Sequence, residues 1–204
     1  MLVRLTMICS GATPATRKGS FPLDEALEPQ SLALAATMTL RRADRVWVSP
    51  SLRARQTAEA MGLKPSVEPL LAEQDFGRWA GKGFAELQAL DPDGIPAWLG
   101  DVEAAPHGGE SLADVARRST SFMDGLIRTS GHTVAVTHAS VIRAAIVHVL
   151  GAPLAACRRI DVEPLSLTDL RSDGDRWMLR SSGVPVAKPS KSAGPQSDED
   201  EPET

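Results

Sequence analysis

The sequence predicts a three-layer α/β sandwich with a mostly parallel central sheet, helices on both faces and late antiparallel edge strands. Three observations predict it. Short apolar runs at residues 2–8, 45–49 and 133–137 alternate with longer stretches of helical period, the pattern of βαβ units. Each run ends in a polar cluster, where an open α/β sheet places its ligands. A Ser172-Asp173-Gly174-Asp175 turn between two late apolar runs marks a hairpin.

Residues 2–8 read as a buried strand closed by a Ser-Gly-Ala-Thr-Pro loop. Residues 14–29 read as loop. Residues 30–42, rich in Ala and Leu, read as a helix packed on the core. Val46-Trp47-Val48 centres a second buried strand. Pro50 breaks it and opens a helix to about Met61, stopped by Gly62. Residues 67–71 suit a short strand and 83–90 a short helix. Pro and Gly punctuate residues 91–109, which read as loop around a helical turn at 96–99. Residues 110–129 hold the longest helix, with Leu112, Val115, Phe122 and Leu126 on one face and a capping pattern from Ser111 to Asp114. Residues 133–137 are a third buried strand, and 139–150 a helix ended by a glycine. Two or three strands follow, around 159–162, 165–170 and 176–180.

The 204 residues, 42% hydrophobic, suit one domain over residues 1–184. From residue 185 the chain turns to Pro, Ser and Lys and then to acids, a composition that predicts a disordered acidic tail over 185–204. That tail carries most of the formal charge of -4, so the body is close to neutral. No long basic block occurs and aromatics are scarce, which argues against a nucleic-acid partner. No apolar run reaches the ~20 residues of a membrane span, and no leader pattern opens the chain. Cys9 and Cys157 lie far apart without metal-ligand spacing and read as reduced thiols. These features predict a cytoplasmic protein with no membrane partner, no metal and no cofactor. They leave oligomeric state open.

Three strand ends carry polar signatures. They are Cys9-Ser10-Gly11-Ala12-Thr13, the run from Ser49-Pro50-Ser51 through Arg53-Ala54-Arg55-Gln56-Thr57-Ala58, and Thr137-His138-Ala139-Ser140. Between the last two lie Glu73-Gln74-Asp75-Phe76-Gly77-Arg78-Trp79 and His107-Gly108-Gly109-Glu110-Ser111. This order resembles the histidine phosphatase superfamily, the phosphoglycerate-mutase-like family, over roughly residues 2–150. The Ser-Pro-x-x-Arg-Ala-x-Gln-Thr-Ala signature matches almost residue for residue. The resemblance implies that fold and a phosphohistidine chemistry. A neutral imidazole attacks phosphorus, two arginines and a second histidine hold the phosphoryl oxygens, and a carboxyl group protonates the leaving oxygen. Carried over by motif, Arg53 is a phosphate clamp, His138 the second histidine and Glu73 the acid, with Thr13 and the Gly11 backbone lining the phosphate loop.

The departure is at the start. Where the family pattern has Arg-His-Gly, this chain has Cys9-Ser10-Gly11, so Ser10 stands at the nucleophile position and Cys9 at that of a clamp. Deleting a nucleophile costs on the order of a million-fold in rate, and losing one electrostatic donor roughly a hundred- to a thousand-fold. The expectation is a catalytically impaired member that binds a phosphorylated or anionic small molecule. Two other readings stay open: an active phosphomonoester hydrolase using Ser10, with His138 as base, or Cys9; and a non-catalytic scaffold for another protein. Ser10 also reads as a loop cap, and Cys9 as a buried small hydrophobe. His107, His132 and His148 read as structural.

Overall fold

The computed structural model describes residues 2–185. Residues 186–204, nearly all of the expected acidic tail, lie outside the described residues. Strand β1 (Val3–Cys9) is followed by helices α1 (Pro14–Lys18) and α2 (Pro29–Ala36), then β2 (Arg45–Val48), α3 (Leu52–Ala60) and the two-residue β3 (Ser66–Val67). Helices α4 (Phe84–Leu90), α5 (Gly94–Gly100) and α6 (Leu112–Leu126) lead to β4 (Gly131–Thr137), α7 (Ala139–Leu150), β5 (Ser166–Ser172) and β6 (Trp177–Pro185).

The sheet order is β3-β2-β4-β1-β5-β6. The first four strands run parallel and the β5–β6 hairpin antiparallel. Side-chain alternation divides the core. Val3, Leu5, Met7 and Cys9 face one apolar cluster with Val115, Phe122 and Met123 of α6 and Val141, Ile142 and Ala145 of α7. Ile8, Val134 and Val136 face the other, with Ala35 of α2 and Ala54 and Ala58 of α3. Helices therefore cover both faces, as the sequence predicts. A third, aromatic cluster of Phe21, Phe76 and Trp79, with Trp98 packed on it, sits among the connecting segments.

Most elements fall where the patterning puts them, and the capping box from Ser111 to Asp114 starts α6 with both reciprocal bonds. Four expectations need correction. Residues 14–18 are a helix rather than loop, because Thr13 caps it, Pro14 opens it and Gly19 ends it in the left-handed region. Helix α2 ends at Ala36, six residues early, where Thr37 turns its hydroxyl back on the Leu34 carbonyl. Pairing in the segment at 67–71 stops at Val67, and Pro69–Leu71 is a 3-10 turn. No strand forms at 159–162. Leu154–Arg159 is a 3-10 turn, and the Ile160 carbonyl accepts from Arg143 Nε at 2.8 Å in place of a strand neighbour.

Two connecting segments are stitched together above the sheet. The Glu110 amide donates to the Asp75 carbonyl at 2.8 Å, and the Arg78 amide to the His107 carbonyl at 3.0 Å. The Glu110 carboxylate takes the Asp75 amide and both arms of Arg118 on α6. Glycine is needed at the crossing: Gly77 has φ +45°, and a Cβ there would lie 2.3 Å from the His107 carbonyl oxygen. Gly77→Ala should therefore lower unfolding stability by roughly 2 kcal/mol or more. Gly125→Ala, on the open face of α6 with nothing within 4 Å, should raise it by about 0.5–1 kcal/mol. Urea unfolding of both variants checks the pair, and equal shifts would remove the stitching as an explanation.

Candidate functional site

Three neighbouring strand ends place the site. Ser10 follows β1, Ser49 follows β2 and His138 follows β4. The ladder continues one step beyond the strands, with the Ser10 amide on the Thr137 carbonyl at 2.8 Å and the Ser49 amide on the Val136 carbonyl at 2.9 Å. These bonds fix the direction in which each side chain leaves the sheet. Ser10 Oγ lies 3.3 Å from His138 Nδ1, and Ser49 Oγ lies 2.7 Å from His138 Nε2. Ser51 Oγ, the N-cap of α3, is 3.2 Å from the same Nε2.

Arg53 sits in the first turn of α3, where the helix dipole disfavours a cation, and is 5% exposed. It is stabilised by partners. Nη2 donates to Glu73 Oε2 at 2.9 Å and Nη1 to the Leu23 carbonyl at 2.7 Å. Glu73 Oε1 accepts from Ser140 Oγ and from the Gln74 amide, and Oε2 lies 3.6 Å from His138 Nδ1. The Glu73 carboxylate thus sits among Arg53, Ser140, the Gln74 amide and His138.

Burial works against ionising Glu73, but His138, Arg53 and the bonds from Ser140 and Gln74 hold its carboxyl below the ordinary range. His138 is 1% exposed, and burial pushes its imidazole down to about 4; Glu73 opposes that shift and Arg53 adds to it. The imidazole is neutral at pH 7. An ionised carboxylate 3.6 Å from Nδ1 favours the tautomer with the ring proton on Nδ1, in which Nε2 accepts from Ser49. In that tautomer Nδ1 is a donor, and Ser10 has no base to take its proton. Cys9 lies in the apolar cluster, and burial, with Glu73 adding to it, raises its thiol to about 12. A thiolate is not available there at neutral pH.

Ser10, Glu73, Arg53 and His138 are thus brought together. The Gly11 amide and the Thr13 hydroxyl are turned to other partners. The Gly11 amide donates to Thr57 Oγ1 at 3.0 Å and the Ala12 amide to Ser31 Oγ at 3.0 Å. Thr13 Oγ1 caps α1 through the Thr16 amide, and Glu25 takes the Ala15 amide at 2.7 Å. The loop's donors are spent within the fold. The Gln-Thr of the signature has the same structural use, since Gln56 accepts from the Leu27 amide at 2.8 Å. Sequence reasoning gave no role to Ser49, Ser51 or Ser140. Each sits within three residues of a strand end, and that position was the available signal.

Two cavities share part of their lining beside the Arg53–Glu73 pair. One, of about 220 Å³, is bordered by Ser51, Arg53, Asp24 and Asp75. The other, of about 250 Å³, is bordered by Ser140, Arg143 and Arg158 and by apolar side chains. Both include Pro22, Glu73, Gln74 and Phe76, and neither includes Ser10 or His138, which lie beneath.

A parallel sheet with a terminal antiparallel hairpin and an Arg–Glu–His cluster at its strand ends defines an α/β protein of the phosphoglycerate-mutase-like class. Residues 6–184 match the profile of the histidine phosphatase superfamily (branch 1), and the chain belongs to that superfamily. Glucosyl-3-phosphoglycerate phosphatase of Mycolicibacterium vanbaalenii is 30% identical over 178 residues, covering 72% of this chain and 79% of that protein. The bifunctional protein Rv2228c of Mycobacterium tuberculosis is 37% identical over 134 residues, 62% of this chain. The chain spans only 37% of the length of that relative. Among solved structures, the mycobacterial glucosyl-3-phosphoglycerate phosphatase Rv2419c superposes with a TM-score of 0.78 at 27% identity, covering 90% of this chain and all of the other. The same protein solved with VO3 superposes equally well at 28% identity, over 89% and 98% of the two chains. Among the described residues no helix is long and apolar enough to cross a membrane.

The buried cluster dictates a pH response. The folded state keeps His138 neutral below pH 6.5, where the unfolded chain protonates it, so stability falls as pH drops from about 6.5 to 4. The loss is on the order of 3 kcal/mol. Glu73, held low in the fold, loses its contribution further down, as pH falls below the ordinary carboxylate range. His138→Gln should flatten the upper segment of the stability–pH curve; an unchanged upper segment would mean that His138 is not buried neutral.

Proposed function

We propose that the chain is a catalytically impaired histidine phosphatase superfamily protein that binds a phosphorylated or anionic small molecule at the Arg53–Glu73–His138 cluster. The observation that carries this reading is the state of Ser10. Its hydroxyl stands at the nucleophile position, 3.3 Å from a neutral imidazole whose ring proton the Glu73 carboxylate draws to the facing nitrogen. A serine without a base is a poor nucleophile. Cys9 offers neither a thiolate nor a positive charge.

The binding half of the proposal rests on what is retained. Arg53 is buried at a strand-end position and donates from both terminal nitrogens, and Glu73 already holds a carboxylate against it. A structural relative solved with the oxyanion VO3 supports reading such a seat as one for oxyanions. Domain limits of 1–184, a cytoplasmic location and the absence of nucleic-acid and membrane partners belong to the same proposal.

The second reading, a hydrolase that uses Ser10, is favoured by one observation only, the contact between Ser10 Oγ and His138 Nδ1. Turnover of p-nitrophenyl phosphate separates the two. The chain should show none above background and no acid-labile phosphoprotein. Activity abolished by Ser10→Ala would establish the hydrolase instead. The Cys9→Arg, Ser10→His double variant should acquire phosphatase activity, because it returns the attacking imidazole and a second clamp beside Arg53 and His138. Silence from a folded double variant would place the impairment in the remaining loop, where the Gly11 and Ala12 amides are turned to Thr57 and Ser31.

A further inference from the structure

The 250 Å³ cavity beside Glu73 has a composition of its own. Trp98 of α5, Phe76, Leu112 of α6 and Cys157 give it apolar walls, and Arg143 of α7 and Arg158 add two guanidinium groups. Both arginines keep free donors. Arg143 uses Nε on the Ile160 carbonyl, and its nearest acid, the exposed Asp161, is 3.9 Å away. Arg158 uses Nη2 on the Trp98 and Asp101 carbonyls. The carboxylate in the lining, Glu73, is already committed to Arg53 and Ser140. The cavity therefore presents loosely paired positive charge around an apolar pocket. A cavity of roughly 150 Å³ accepts a benzene-sized guest, and drug-sized ligands occupy about 300–1,000 Å³. The space here fits one ring with a substituent and is too small for a nucleotide.

We propose that this cavity selects ligands whose body is a single apolar ring and which carry a second anionic group facing Arg143 and Arg158. The selection rests on the reading of Arg53 as the seat of the ligand's first anion. The ligand class is a ring-bearing phosphomonoester with a carboxylate at its far end. A sugar phosphate suits the site poorly, because its hydroxyls would be desolvated against Trp98, Phe76 and Leu112 with few polar partners. The ring stacks on the aromatic wall, and the carboxylate takes charge-assisted bonds from the two guanidinium groups.

Calorimetric titration of the full chain with four probes tests the assignment: inorganic phosphate, glycerol phosphate, phenyl phosphate and para-carboxyphenyl phosphate. Phenyl phosphate should bind about tenfold more tightly than inorganic or glycerol phosphate, and the para-carboxy compound about tenfold more tightly again. Arg143→Met, which keeps the aliphatic stem, should remove the carboxylate increment and leave phenyl phosphate unchanged. Arg158→Met should do the same in part. Equal binding of all four probes, with no response to Arg143→Met, overturns the selection and leaves the Arg53 seat standing. Binding of the para-carboxy compound that depends on Arg143 but survives Arg53→Ala supports the cavity and overturns the seat. Silence with every probe overturns both.

Discussion

The site depends on one buried charge pair, Arg53 with Glu73. Arg53 leaves the first turn of a helix, where the backbone dipole repels it, into a place almost closed to water. A guanidinium cannot remain there without a counter-charge, and breaking such a pair from one side typically costs about 3–5 kcal/mol. Much of the surrounding structure delivers Glu73 to it. The strand-end helix α7 supplies the Ser140 hydroxyl. The stitched segments around Asp75 and Glu110 fix the backbone that carries Glu73, and Arg118 ties that stitch to α6. Thr57, one turn beyond Arg53, accepts the Gly11 amide and so locks the first loop to the same helix.

Cys9 and Ser10 fit this arrangement energetically. Cysteine continues the apolar face of β1, packing with Val3, Leu5 and Met7, and serine meets Nδ1 of a neutral histidine. The innermost cluster is therefore nearly neutral and self-satisfied. Loosely paired positive charge lies one layer out, on Arg143 and Arg158.

The parts of the fold legible in the sequence were those with a local cause. Strand ends showed as polar clusters after apolar runs, and α6 and α7 showed through their caps and period. Arg53, Glu73 and His138, which the fold gathers at the strand ends, were legible because a motif carries each of them. What escaped was set by partners distant in sequence. Nothing local says that the Gly11 amide turns to Thr57, forty-six residues on, or that Arg143 takes the Ile160 carbonyl and leaves no strand there. The short α1 is a different case. Its cap, its opening proline and its closing glycine were all in the sequence, but five residues hold too little period to outweigh a loop-like composition.

The internal pairing also bears on affinity. If Arg53 seats an anion as proposed, that anion finds it already holding a carboxylate, so binding exchanges one anion for another and the electrostatic gain is a difference between two similar terms. Glu73 must move aside or share the guanidinium, and its bonds to Ser140 and the Gln74 amide resist that movement. Charge at the seat then fixes where a ligand sits more than how tightly it binds. The remaining free energy has to come from surface that the seat does not provide, and the apolar walls beside Glu73 offer about 25 cal/mol for each Å² they cover. A small anion gains almost none of that area, whereas a ring on Trp98 and Phe76 gains most of it. On that proposal, a site with one clamp and a resident carboxylate is better suited to an amphipathic anion than to free phosphate.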